Sequence, residues 1–323
     1  MSSVPRRVGV TVPVPGVRLH EHREWYEELA ALGFTDVWSS ETSSHDGFTP
    51  LALAAAWAPS LRSGVAIAPV FTRGPAVLAQ TAASMAEAAP GRFALGIGAS
   101  SPAIVERWNA IAFDEPFART RDVLRFLRRA LSGEKVSEQY DTFEVQGFRL
   151  GIALEEPPPV LVAALRPGML RLAGQEGDGA IVNWLSADDV TQVAPYVGDK
   201  EIVARIFVMP SEDFDEVRAF AARQITNYMT VDAYAKFQEW LGRGPALRPM
   251  WDAWAAGDRA RALELVPDQV IDDLIVWGTP ERIRERVGRY AANGVTTTAP
   301  AILASGEIVR TTIRALAPAS STP

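Results

Sequence analysis

Short apolar runs alternate along the chain with longer stretches in which apolar residues recur at helical spacing. The runs that we interpret as strands cover residues 7–12, 36–39, 62–68, 93–98, 160–164, 179–182, 202–209 and 295–299. The stretches that we interpret as helices cover residues 20–32, 51–57, 75–88, 116–131, 169–175, 187–196, 211–227 and 280–292. Strands that alternate with helices in this way predict βα units and a parallel sheet.

Two stretches depart from this alternation. Residues 135–150 alternate between apolar and polar positions, which predicts a β-hairpin after the fourth strand. Residues 231–266 have a helical pattern rich in Trp and Tyr but no strand of their own. We therefore expect them to form an insertion after the seventh strand, near the mouth of a barrel.

Eight strands with intervening helices favour a closed (β/α)8 TIM barrel. The alternative is an open α/β sheet, which would need a glycine fingerprint after its first strand, and residues 11–16 do not contain one. We predict a single α/β domain over residues 1–323, a TIM barrel to which the hairpin and the helical insertion are added.

Composition excludes several classes of function. The chain has no cysteine, which rules out disulfides, iron–sulfur clusters, thiolate zinc sites and a cysteine nucleophile, and only three histidines, which argues against a metal site. A net charge of −7 argues against nucleic acid as a partner. No signal peptide or membrane span is evident in the sequence. We expect a cytoplasmic enzyme with a small-molecule substrate and no membrane partner, and we leave a homodimer open.

The most informative segment is the fourth strand with the residues that follow it. Gly96 and Gly98 are unfavourable inside a strand unless something approaches the backbone closely. Ser100 and Ser101 begin a predicted helical turn whose free N–H groups suit an anion such as a phosphodiester. The alternative is that the glycines only permit tight packing and the serines only cap the turn. The pattern does not choose between them.

Polar residues also follow the second strand, where a TIM barrel places its active site. Glu41 directly follows this strand and is a candidate to hydrogen-bond a cofactor, unless it is a solvated loop carboxylate. His45 is the only histidine outside the first helix, and therefore the candidate for proton transfer, unless it is merely exposed. We expect His20 and His22 at the surface.

Other strand ends offer groups that suit a planar, anionic ligand. Trp108 and Asn109 supply a flat wall and an amide for a substrate pocket, unless Trp108 is a core residue at the barrel mouth. Asn183 ends the sixth strand. Arg166 precedes a predicted helix and suits an anion. No Ser-His-Asp arrangement, phosphate-binding loop or close acidic pair is evident, so we expect a cofactor to supply the chemistry.

Five segments together identify a family resemblance. They cover residues 32–38, 68–80, 89–98, 276–283 and 292–295, and the similarity extends over essentially the whole chain. The sequence resembles the luciferase-like flavin and deazaflavin oxidoreductase superfamily, and within it the branch that uses the deazaflavin coenzyme F420. The fold of that family is a (β/α)8 barrel with insertions, in agreement with the pattern of strands and helices.

The resemblance also implies where the cofactor binds. In the family, the third strand ends in a backbone bulge, often with a non-proline cis peptide, that supports the tricyclic ring; here this corresponds to Val65, Ala66 and Ile67. The phosphate-bearing tail corresponds to Gly98, Ala99, Ser100, Ser101, Ala164, Leu165 and Arg166. Glu41 stands where relatives often have an acidic residue near the ring. Thr42 departs from the catalytic histidine of some family dehydrogenases, which puts their sugar-phosphate activity in doubt.

By this resemblance, the leading functional hypothesis is hydride transfer between F420 and a small organic substrate. Residues 231–266 are then a substrate lid, unless their aromatic residues only pack the insertion onto the barrel. One alternative is an FMN-dependent monooxygenase of the same superfamily. Another is a flavin-binding barrel without turnover, which the missing loop histidine keeps open.

Overall fold

The computed structural model describes residues 4–318, which contain eleven strands and thirteen α-helices. The strands are β1 (Arg7–Thr11), β2 (Asp36–Ser39), β3 (Arg62–Pro69), β4 (Phe93–Gly98), β5 (Val136–Gln139), β6 (Glu144–Phe148), β7 (Val160–Ala163), β8 (Gly179–Asn183), β9 (Glu201–Met209), β10 (Ile275–Trp277) and β11 (Thr297–Ile302).

The helices surround these strands. They are α1 (Arg23–Ala31), α2 (Thr49–Trp57), α3 (Pro75–Ala88), α4 (Pro116–Leu131), α5 (Pro167–Gln175), α6 (Val190–Val197), α7 (Phe214–Met229), α8 (Asp232–Trp240), α9 (Gly244–Ala255), α10 (Arg259–Glu264), α11 (Asp268–Leu274), α12 (Pro280–Ala292) and α13 (Glu307–Leu316). A 3-10 turn covers Leu19–Glu21 and a π-helical turn covers Ala103–Trp108.

Eight parallel strands close into a barrel, which confirms the predicted fold. Their order is β1-β2-β3-β4-β7-β8-β9-β11, and β11 pairs back to β1. The antiparallel pair β5 and β6 is the predicted hairpin. Apolar residues on the outer strand faces pack against the helices in one large core. The active-site end of such a barrel is the rim at the carboxyl ends of its strands.

Some elements escaped the sequence pattern. β10 pairs with the carboxyl-terminal half of β9. It was not predicted because it has only three residues, which are too few to show a periodicity in the sequence. The predicted insertion contains three helices, α8, α9 and α10, and α11 and α13 were not predicted at all. The start of α12 was predicted correctly: it begins at Pro280 because the Thr279 hydroxyl accepts a hydrogen bond from the Arg282 amide.

Ion pairs close the amino-terminal end of the barrel. Arg62 binds Glu201 with two hydrogen bonds of 2.7 and 2.8 Å and Asp36 with one of 3.2 Å, and all three residues are buried. Thr297 donates a further hydrogen bond to Glu201. Although burial raises it, the pKa of Glu201 is held below its usual value by Arg62. A dry apolar layer that includes Trp38 lies inside the barrel.

The pairing of β3 with β4 contains the predicted bulge. Val65 pairs with Leu95 and Ala68 with Ile97, so β3 has one extra residue at this point. Ala66 and Ile67 both pack against the apolar cluster inside the barrel, and the peptide bond between them is cis, as the resemblance implied.

Gly96 is the residue of β4 that makes room for the bulge. A Cβ at this position would lie 2.1 Å from the Val65 carbonyl oxygen and 2.3 Å from Ile181 Cδ1. A Cβ at Gly98 would lie 2.8 Å from the Ala163 Cβ and 3.2 Å from Ile67 Cγ1. Protein atoms therefore make the close approach at both glycines, and the packing explanation holds.

His22 orders the loop between β1 and α1. The expectation that it lies at the surface was wrong, because it is fully buried. The Val14 amide donates a 2.8 Å hydrogen bond to Nε2, and Nδ1 lies 2.9 Å from the Arg18 carbonyl. A carbonyl only accepts, so the proton is on Nδ1 and the ring is neutral. Burial lowers the pKa of His22 below its ordinary value of 6.5, and this outweighs the Arg18 hydrogen bond, which raises it.

We expect Arg62→Met to lower the free energy of unfolding by about 3–5 kcal/mol, because two buried carboxylates lose the buried arginine that binds both of them and only Arg7 remains, 3.6 Å from Asp36. The control is Arg125→Met, which removes an exposed pair with Glu176 and is expected to cost about 0–1 kcal/mol. Urea unfolding of both variants measures the difference. Equal losses would show that the buried cluster has no special role.

We expect Gly96→Ala to lower the free energy of unfolding by about 1–3 kcal/mol or more, because the new methyl group meets backbone rather than a flexible side chain. The matched control is Gly288→Ala in α12, where nothing lies within 4 Å. That change is expected to stabilise the protein by about 0.5–1 kcal/mol through helix propensity. An unaltered stability of Gly96→Ala would refute the role given to this glycine.

Stability should fall as the pH drops below about 6.5, because unfolded His22 binds a proton more readily than the folded imidazole. The fall should level off below the folded pKa. We compare the free energy of unfolding at pH 7.5 and 5.5, a range that lies above the ordinary pKa values of carboxylates. His22→Gln should be less stable than wild type at pH 7.5, and its stability should depend less on pH. His20→Gln, at an exposed position, should keep the wild-type slope. Identical slopes in all three proteins would exclude this linkage.

Candidate functional site

Polar loops follow the carboxyl ends of β2, β3, β4, β7 and β8, which are consecutive strands of the barrel. The bulge at Ala66 and Ile67 lies between the β2 loop on one side and the end of β4 on the other. The segments that the sequence suggested as separate candidates are therefore neighbours along one side of the barrel mouth.

Glu41 is part of an ion pair that joins two of these loops. Its carboxylate accepts hydrogen bonds from Arg73 at 3.2 and 3.3 Å and from the Gly47 amide at 3.4 Å. The Arg73 guanidinium also lies over the Phe48 ring, 4.8 Å from its centroid. Glu41 is thus not a solvated carboxylate. Arg73 was missed as its partner, because 32 residues separate the two in sequence and no local pattern links them.

This ion pair lies beside the bulge. A Cβ at Gly47 would lie 2.6 Å from Val65 Cγ2 and 3.2 Å from the Glu41 carboxylate, so the β2 loop packs directly on the bulged strand. The Glu41–Arg73 pair therefore holds the β2 and β3 loops together at the point where a ring would rest on Ala66 and Ile67.

The two titratable groups in the middle of the β2 loop differ in availability. Asp46 accepts hydrogen bonds from the Phe48 and Thr49 amides, both 2.9 Å, and so caps α2. Although burial raises it, these hydrogen bonds hold the pKa of Asp46 below its usual value. His45 is partly buried, and its Nδ1 is shielded from solvent without a hydrogen-bond partner in the described structure. Asp46 is thus held by backbone amides, whereas His45 Nδ1 has no such partner among the described residues.

The segments predicted to hold a cofactor tail lie side by side. β4 pairs with β7, and the contact between Gly98 and Ala163 brings their carboxyl ends together. Ser100 adopts a left-handed conformation (φ 68°), and Ser101 begins the π-helical turn by accepting a hydrogen bond from the Val105 amide. The hydroxyls of Ser100 and Ser101 make no hydrogen bond within residues 4–318, and both residues are partly buried.

The start of α5 follows β7 on the other side of this pair of strand ends. Arg166 is exposed and immediately precedes the helix, with Pro167 at the first helical position. Leu165 is partly buried, whereas Ala164 is buried and its amide donates to the Ile181 carbonyl. The free backbone groups here are those at the amino-terminal end of α5. Binding of a phosphate-bearing tail by these residues stays a prediction.

Trp108 and Asn109 do not form a shielded wall. The π-helical turn brings Trp108 to the surface, where it is 58% exposed. The exposed Asn109 donates its amide to the Ile104 carbonyl at 2.8 Å, which closes that turn. Their assignment to a substrate pocket finds no support in this placement, because sequence spacing does not reveal which way an irregular turn points.

Asn183 faces the helical insertion at the mouth. Its amide donates a long hydrogen bond of 3.4 Å to the hydroxyl of Tyr234 in α8. The next residue, Trp184, has a positive φ of 53° and is buried, with its ring 4.2 Å from Phe207 and 4.7 Å from Tyr228. The placement of Asn183 fits a substrate pocket; its role stays a prediction.

The other aromatic residues of residues 231–266 pack the insertion onto the protein. Phe237 is buried and Trp240 lies against Tyr196 of α6. Trp251 donates its indole N–H to the Met229 carbonyl, and Trp254 packs against the apolar cluster that includes Phe207 of β9. The packing alternative therefore holds for these four. Tyr234 is the aromatic residue of this set that reaches Asn183.

Two kinds of feature, a metal-binding cluster and a membrane-spanning helix, are absent from the residues that the structure describes. Residues 4–318 contain no group of three or more His, Asp or Glu side chains arranged to hold a metal ion. Their helices include none with both the length and the apolar character to cross a membrane.

Comparisons with known proteins agree with this architecture. The family model for luciferase-like monooxygenases matches residues 1–297. A 5,10-methylenetetrahydromethanopterin reductase of Methanolobus tindarius is 27% identical over 285 residues, covering 84% of this chain and 87% of the relative. A putative coenzyme F420-dependent oxidoreductase of Mycobacterium tuberculosis is 24% identical over 312 residues, covering 85% and 88%.

A solved structure shares the fold. The coenzyme F420 dependent tetrahydromethanopterin reductase from Methanopyrus kandleri superposes with a TM-score of 0.78 at 17% identity, covering 97% of both chains. Because the family model extends over most of the 323 residues, the chain belongs to the luciferase-like monooxygenase family, as its sequence motifs indicated.

Proposed function

We propose that this protein is an oxidoreductase that transfers a hydride between coenzyme F420 and a small organic substrate at the barrel mouth. The observation that supports this most is the contiguity of two features, the bulge on β3 and the neighbouring carboxyl ends of β4 and β7. The names of two relatives that cover most of this chain, a methylenetetrahydromethanopterin reductase and a putative F420-dependent oxidoreductase, also support it.

The residues present fit a flat ring with an anionic tail. Ala66 and Ile67 offer a small, apolar and only partly buried surface inside the barrel. Beside it, the hydroxyls of Ser100 and Ser101 are free to donate, and Arg166 supplies a cation. In our proposal, Val65, Ala66 and Ile67 support the ring, whereas residues 98–101 and 164–166 hold the tail. Bound F420 would supply the ability to give or accept a hydride.

The protein's own groups then act mainly by positioning. The Glu41–Arg73 pair keeps the loops beside the bulge in place, so that the ring surface stays shielded from water. Asn183 and Tyr234 supply an amide and a hydroxyl to orient a substrate. His45 is the group that we propose to hold or release a proton, because its Nδ1 has no competing partner among the described residues.

FMN-dependent oxygenation is the second candidate. The family itself is described as luciferase-like monooxygenases, and the same bulge and strand ends suit an FMN ring and phosphate. The two candidates differ in reaction class, since a deazaflavin transfers hydride but activates oxygen poorly. Which cofactor binds therefore separates the two functions.

The test is to titrate the protein with F420 and, separately, with FMN, and to follow the fluorescence of each ring. We expect F420 to bind more tightly than FMN. Arg166→Met should weaken F420 binding by about tenfold, because one charge-assisted hydrogen bond to the anionic tail is lost. Arg171→Met, which removes an exposed arginine further along α5, is the control and should leave affinity unchanged. Tight FMN binding without F420 binding would overturn the proposal, as would an Arg166→Met variant that binds F420 like wild type.

A further inference from the structure

Arg205 points into the barrel from the wall opposite the bulge. It pairs in register with Asn183 of β8 and Ala299 of β11. Residues in register on parallel strands share a face, and Ala299 belongs to the cluster inside the barrel. β9 is four strands from β3 in either direction around the barrel. The Arg205 side chain therefore enters the mouth facing the surface formed by Ala66 and Ile67.

The guanidinium of Arg205 has no counter-ion among residues 4–318. Within this range it forms no ion pair or hydrogen bond, and its Nε is buried without a partner. The Phe207 ring lies 5.2 Å from the guanidinium carbon. The titratable groups that act on it from the neighbouring helices are the hydroxyls of Tyr228 and Tyr234, and neither is a carboxylate. Burial lowers the pKa of Arg205.

Two other arginines held inside the protein are paired with carboxylates. Arg62 binds Asp36 and Glu201, and Arg243 binds Asp189 and Asp273 at 2.8 and 2.9 Å. Burying a cation without such partners is destabilising, since its lost hydration is not replaced. The position of Arg205 is therefore costly in the free protein, and an anionic ligand would offset that cost.

The groups around Arg205 are mainly donors. The buried indole N–H of Trp184 has no partner in the described structure, and the Asn183 amide makes only a 3.4 Å contact. Tyr234 adds a hydroxyl, and burial raises its pKa to about 12, which keeps it protonated. A buried site with several free N–H groups and no carboxylate favours an oxyanion over a cation.

We propose that Arg205 is a substrate-binding residue that recognises an anionic oxygen, and that the substrates of this enzyme bear a carboxylate. The proposal rests on the proposed function, because it places this group in the same mouth as the F420 ring. An anionic oxygen could also belong to the cofactor, but the location of Arg205 on the wall opposite the bulge favours the substrate.

The first test needs no cofactor. Arg205→Met keeps the length of the side chain and removes the charge, so we expect the melting temperature of the free protein to rise. Acetate, succinate and benzoate are then titrated by calorimetry, with benzamide as a neutral analogue of benzoate. We expect at least one carboxylate to bind wild type, benzamide not to bind, and Arg205→Met to lose at least about tenfold in affinity. Arg205→Lys should retain part of it.

The control is Arg223→Met, an exposed arginine of α7, which should leave both the melting temperature and carboxylate binding unchanged. The proposal is overturned if none of the three carboxylates binds wild type, or if they bind Arg205→Met as tightly. It is also overturned if benzamide binds as well as benzoate. A lower melting temperature of Arg205→Met would show that the arginine stabilises the fold.

F420 titration separates this proposal from the proposed function. We expect Arg205→Met to bind F420 like wild type. A tenfold loss of F420 affinity with carboxylate binding intact would assign the guanidinium to the cofactor and overturn the substrate assignment. If wild type fails to bind F420 but binds a carboxylate through Arg205, the proposed function is wrong and the anion site stands.

Discussion

The site depends on the missing Cβ at Gly96. The third strand bulges inward by one residue, and its Val65 carbonyl occupies the space where any other side chain on the fourth strand would begin. If a side chain filled that space, the two strands could pair only in regular register. Ala66 and Ile67 would then not both face the interior. A single glycine thus makes an irregular strand compatible with a closed barrel, and the irregularity provides the surface on which a ring is proposed to rest.

The two ends of the barrel differ in whether an inward-facing arginine has a counter-ion. At the amino-terminal end, Arg62 is paired with two carboxylates, and the Thr297 hydroxyl donates to one of them, Glu201. Near the carboxyl end, Arg205 is partly buried, its Nε is shielded from solvent, and it has no counter-ion in the described residues. The first arrangement stabilises the fold, whereas the second lowers stability unless a ligand binds. This difference is expected of a barrel in which polar groups are paired at the end that supports the fold and left unpaired near the end proposed to bind ligands.

Connections between loops hold the mouth in shape. The Glu41–Arg73 pair joins two neighbouring loops, and the Gln238 amide donates to the Trp184 carbonyl, which pins the insertion to the end of β8. His22 acts similarly on the first loop through two backbone groups. The first two connections join elements that are distant in sequence but adjacent in the barrel, whereas His22 acts within a single loop.

The sequence by itself determined the alternation of strands and helices, the closed barrel and the family. It located β2, β4, α3, α4 and α12 to the residue, because local features such as a proline at the first helical turn act on nearest neighbours. The bulge was predicted from family resemblance alone. Only the tertiary structure showed that Gly96 accommodates a carbonyl, that His22 is buried, that Glu41 has Arg73 as its partner and that Arg205 has none. These properties depend on atoms brought together by barrel closure, and no local pattern records which distant side chains will share a space.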